Sequence, residues 1–193
     1  MTTSDSSRLS PKGALAEVPT AMLHGLAQLE TSFGDSGPLP QRVVHLALAL
    51  ALTNKGRDDA ARYHAELAVQ AGLTRPEVVE TLFTAVLSRG PAMVIQNQWL
   101  IEMAGPGEGM PEVVPPEPTE PEVILDYFGR TFGQVPEWIR QLAETAPAAL
   151  QSYYAMRALT LSDGVLDRKY KELVLVVINS VERYDVGLSL IHI

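Results

Sequence analysis

Residues Arg57–Val86, RDDAARYHAELAVQAGLTRPEVVETLFTAV, read as two helices joined by a tight turn. Asp58 and Asp59 put negative charge where a helix begins and its macrodipole is positive, and Gly72 ends that helix. Thr74-Arg75-Pro76-Glu77 is a capping box with proline in the first turn, in which the threonine and the glutamate three residues on satisfy each other's backbone donors. Behind it Val78, Val79, Leu82, Val86 and Leu87 recur at helical spacing as far as Gly90.

The neighbouring sequence continues the pattern. Gln41–Thr53, QRVVHLALALALT, is apolar almost all round, which places a helix at the centre of a core; its alternation could suit a strand, but Ala and Leu are good helix formers and β-branched residues are few. Ala14–Thr31 carries Leu15, Val18, Met22, Leu26 and Leu29 at spacings of three and four, before the turn-forming run Gly34-Asp35-Ser36-Gly37-Pro38. A further helix is expected over Pro91–Ala104. From Gly105 to Pro121 six prolines deny backbone donors among glutamates, so this stretch is an extended connector. Beyond it helices are expected over Val123–Phe132, through Trp138, Ile139, Leu142 and Ala143, over Ala148–Leu161 and over Arg168–Arg183, with a turn at Asp163-Gly164. The fold class is all-α. The organisation expected is a disordered tail at 1–12, a first unit at 13–104, the linker at 105–121 and a second unit at 122–187.

Placing Arg57 opposite Tyr184 lays Gln41–Ala60 over Arg168–Gly187, so that Leu46 meets Leu173, Leu48 meets Leu175 and Thr53 meets Ser180. The match is one of pattern, with few identities. In the first half, His64, Ala68, Ala71, Gly72, Thr74, Glu77 and Glu80 stand at the spacing of "A-x-x-A-G-x-T-x-x-E-x-x-E" behind a histidine, and here the chain resembles the carboxymuconolactone decarboxylase and alkylhydroperoxidase D-like family. Lys171-Glu172-Leu173 resembles the start of a second such unit. The resemblance implies a helical bundle of two tandem units, the second cut short, and self-association into a homo-oligomer.

Redox members of that family use two cysteines, and spacing from His64 puts those positions at Arg57 and Ala60, with Tyr184 and Gly187 in the second half. The chain has no cysteine. A thiolate is the nucleophile of that chemistry, so peroxidase and disulfide-reductase activities are excluded along with disulfides, thiolate zinc sites and iron–sulfur clusters. The thiol-independent branch implies a lyase acting on a small carboxylated lactone or related aromatic-degradation intermediate, with protonation at carbon accompanying loss of carbon dioxide. On that reading His64 is the general acid or base, and His45 and Glu172, equivalent in the two copies, stand where the relay glutamate belongs. Arg57 and Arg62, or Arg75, would meet a substrate carboxylate. No cofactor is implied. The alternative is a catalytically inactive helical module, with His64 satisfied by a neighbouring helix, His45 a core histidine and Glu172 favouring a helix dipole.

Tyr153, Tyr154, Trp99 and Trp138 sit at helical spacing among apolar residues and read as core or interface. No pair of the four histidines stands at i, i+4 spacing and the clustered carboxylates fall in the linker, so no metal site is expected. A net charge of −8 without a basic cluster argues against a nucleic-acid partner, and no apolar run is long enough for a bilayer. A cytoplasmic location follows as the expectation. The last six residues, 188–193, look like an in-frame translation of a transposon sequencing adaptor, so the natural sequence is expected to run only to Gly187 in this chain.

Overall fold

The computed structural model describes residues 19–25, 28, 37–112, 114, 116–188 and 191, with only the backbone of residue 186. Expectations for 1–12, for most of Ala14–Thr31 and for most of 188–193 therefore fall outside the described residues. Residues 20–25 are helical, and Met22 on their expected apolar stripe is exposed. Ten labelled helices follow. They are α1 Gln41–Asn54, α2 Asp58–Gln70, α3 Arg75–Arg89, α4 Ala92–Gln96 and α5 Gln98–Met103 in the first half, then α6 Pro121–Phe132, α7 Glu137–Thr145, α8 Pro147–Thr160, α9 Arg168–Val181 and α10 Asp185–Leu188. Among the described residues there is no strand, only an isolated bridge between Thr74 and Gly105, so the fold is all-α. No described helix is long and apolar enough to cross a membrane.

The capping box forms as its residues require. The Glu77 carboxylate accepts from the Thr74 backbone N–H at 2.9 Å and hydroxyl at 3.0 Å, and from Arg42 Nε at 2.7 Å. Gly72, at φ +88°, takes the left-handed conformation that reverses the chain after α2. The single helix expected over Pro91–Ala104 is instead two, broken at Asn97. Asn97 is fully buried, its Nδ2 donates to the Met93 carbonyl, and its own N–H bonds Val94 rather than Met93. The side chain thus takes the acceptor that the backbone of a continuous helix would use.

Two apolar clusters organise the chain. One unites Leu46 and Leu50 of α1, Ala65 and Ala68 of α2, Val78 and Leu82 of α3, Met93 and Leu100, and it includes Val174 and Ile178 of α9. The other is built from Ile124, Phe128, Ile139 and Leu150 of α6, α7 and α8, with Tyr127, Trp138, Tyr153 and Tyr154 packed against it. The final long helix is therefore part of the first half's core.

Helices α1 and α9 are each 14 residues long and begin and end at matching positions in the register that sets Arg57 over Tyr184. Their ends match as well. Gly56 bonds Thr53 and Arg57 bonds Leu52, while Arg183 bonds Ser180 and Tyr184 bonds Asn179; Gly56 and Arg183 both have positive φ. Their surroundings differ, since Leu48 is exposed and Leu175 is buried.

Candidate functional site

The apolar face of α1 packs on α2, and this brings together two of the expected residues. His45 Nδ1 lies 3.1 Å from His64 Nδ1, with ring centroids 5.3 Å apart and planes 27° from parallel. Tyr63 meets the His64 ring edge-on. Both histidines are half-buried. A contact between two Nδ1 atoms requires one ring to donate Nδ1–H and the other to accept there, which couples the tautomers of the pair.

Three of the remaining expected residues have partners of their own. Glu172 is almost wholly buried on α9, where its Oε1 accepts from Arg168 Nε at 3.0 Å and Nη2 at 2.9 Å. Arg57 is exposed just ahead of α2, and Arg62 is exposed with its guanidinium 4.8 Å over the Trp99 ring. Arg75 donates to the Ile101 carbonyl. Arg62 and Arg75 are thus engaged by neighbouring helices. Among the described residues no group of three or more His, Asp or Glu is arranged to hold a metal ion.

Two cavities lie elsewhere. The first, of about 250 Å³, is bounded by Ser88, Trp138, Tyr153, Arg157, Asn179 and Tyr184, and Gly187 lines it too. It thus holds both second-half positions that the family resemblance would assign to cysteine. The second, of about 280 Å³, lies on the other side of Arg157 against Tyr127, Tyr154 and Arg168. Neither is lined by His45 or His64.

Arg157 is 94% buried by its 6% exposure, and its guanidinium sits 5.5 Å from the Phe132 ring centre. Tyr153 lies one turn before it on α8 and packs edge-to-face on Trp138, with centroids 5.1 Å apart. The Ser88 hydroxyl donates to Asn179 Oδ1 across the α3–α9 contact. On sequence Tyr153 and Trp138 read as core or interface, and Arg157 belongs to no motif. The available signal was the i, i+4 spacing of Tyr153 and Arg157, which puts a phenol and a guanidinium on one helix face.

Burial pushes the Tyr153 phenol above the ordinary tyrosine value, against the opposing effect of the Arg157 guanidinium. The folded chain therefore binds this proton more tightly than the unfolded chain. Its contribution to stability is intact below about pH 10 and declines as pH rises through the raised value. Alkaline titration followed by tyrosinate absorbance should show a late step that Tyr153→Phe removes; an unchanged titration curve would contradict the assignment.

No family model, curated protein or solved structure matches this chain.

Proposed function

We propose that the chain is a cysteine-free relative of the carboxymuconolactone decarboxylase-like proteins, acting as a thiol-independent lyase on a small carboxylated lactone. The observation that carries this reading is the 3.1 Å contact between His45 and His64. It joins the histidine of the helical hairpin to the residue at the relay position one helix earlier. The equal lengths and matching end bonds of α1 and α9 lend support to the tandem reading.

In such a reaction the bond from the substrate to its carboxylate breaks, carbon dioxide leaves, and the electron pair stays on carbon. His64 supplies the proton that captures that pair, and His45 holds its tautomer and shares the charge. One proton is consumed per turnover. The same reading has the chain cytoplasmic and self-associating, with exposed Phe83 on α3 and Ile95 on α4 offering apolar surface to a second copy.

Decarboxylation of a muconolactone acid tests the proposal. His64→Ala should lower kcat by about 10²–10⁴-fold, and His45→Ala should lower it less. Equal rates in the wild type and His64→Ala would remove His64 from the mechanism. The inert-module reading draws on the outward placement of Arg57 and Arg62 and on the absence of the histidines from both cavities. It expects no turnover in any variant.

A further inference from the structure

We propose that the cavity between α3, α7, α8 and α9 binds a small organic monoanion with a flat apolar body, of the benzoate class. This inference is independent of the histidine pair. At about 250 Å³ the cavity is smaller than the roughly 300–1,000 Å³ typical of sites for drug-sized ligands, which suits a single ring carrying one polar group.

Its lining supplies both halves of that recognition. Arg157 brings a permanently charged, planar donor fork into a largely buried wall, a geometry matched to a carboxylate. The Tyr153 phenol, on the same face of α8, is a donor beside it, and none of the described lining residues is acidic. Arg157 is the only basic residue among those lining residues, so the balance favours a monoanion over a dianion. Trp138 and Tyr153, set edge-to-face, give the body an aromatic wall, with Leu175 and Leu87 adding apolar surface. Gly187 lets the Tyr184 ring pack closely at the cavity's edge, because a Cβ there would overlap that ring.

Equilibrium dialysis of labelled benzoate against the intact chain provides the test. One saturable site with Kd below about 1 mM is expected, and neutral benzamide should not displace the ligand. Arg157→Gln should weaken binding at least tenfold. Because that variant alters a buried residue, Leu87→Trp is the second probe: it fills this cavity from its apolar wall and should abolish binding with the helical circular dichroism retained. Ala158→Phe enters only the cavity on the other side of Arg157 and should leave benzoate affinity unchanged. Absence of saturable binding, displacement by benzamide, full affinity in folded Arg157→Gln or in Leu87→Trp, or loss of binding in Ala158→Phe alone would each overturn the proposal.

Discussion

Glu80→Ala is expected to destabilise the chain by about 3–5 kcal/mol, the scale for removing one partner of a buried ion pair. The Glu80 carboxylate on α3 meets Lys171 Nζ of α9 at 2.9 Å, with the two side chains only 8% and 3% exposed. It also accepts from the backbone N–H groups of Val165 at 3.0 Å and Leu166 at 2.9 Å, while Lys171 donates to the Ser162 carbonyl. Removal of the carboxylate leaves a buried ammonium with one neutral acceptor and strips two backbone donors of theirs. The turn is built around this group, since a Cβ at Gly164 would overlap the carboxylate. Urea unfolding gives the measurement. Pairing Glu80→Ala with Lys171→Met should recover part of the loss, because the orphaned charge goes with it. A loss below about 1 kcal/mol, as for an exposed pair, would refute the account.

Cutting the chain at the linker should have an effect at least as large: residues 1–104 alone are expected to lack a cooperative unfolding transition. Two of the side chains closing the first core, Val174 and Ile178, come from α9. Their burial is worth about 3–6 kcal/mol together at about 1.5–3 kcal/mol for each side chain. The fragment also loses the partner of Glu80, the Ser88–Asn179 contact and the bridges from Glu182 to Arg89 and Lys55. Set against a total stability of about 5–15 kcal/mol, these losses leave little. Thermal melting followed by circular dichroism, with dye binding to exposed apolar surface, distinguishes the outcomes. A sharp melt with no dye binding would show that the first half folds by itself.

Local signals were legible where they are short-range. The aspartates in the first turn of α2, the Thr74–Glu77 box and the apolar spacing of α3 each depend on residues within one or two turns, and each forms. The break at Asn97 was not legible, because an asparagine inside a helical pattern turns back on its own chain only when burial denies it water. Glu77 is legible as the capping-box partner of Thr74, while Glu80 stands out only as a member of a spaced motif. The hold of Glu77 on Arg42 and the anchoring by Glu80 of the turn before α9 depend on which remote groups the fold brings near.

The candidate site divides in the same way. His45 and His64 are candidates on sequence, and α1 packing on α2 makes them a pair. Arg57 and Arg62 belong to the same hairpin, yet one stays exposed at the helix start and the other lies over Trp99. Arg157 stands in no sequence motif on α8, although it lines two cavities.

By itself the sequence determined an all-α chain without thiol chemistry, because helix periodicity, caps and the lack of sulfur are local or compositional properties. The tertiary structure decided that α9 completes the first core, that Glu80 and Lys171 close on each other, and that a guanidinium and a phenol face a cavity. Each of those depends on where elements far apart in the chain come to rest, and burial then turns an ordinary side chain into one whose partner has a large energetic effect.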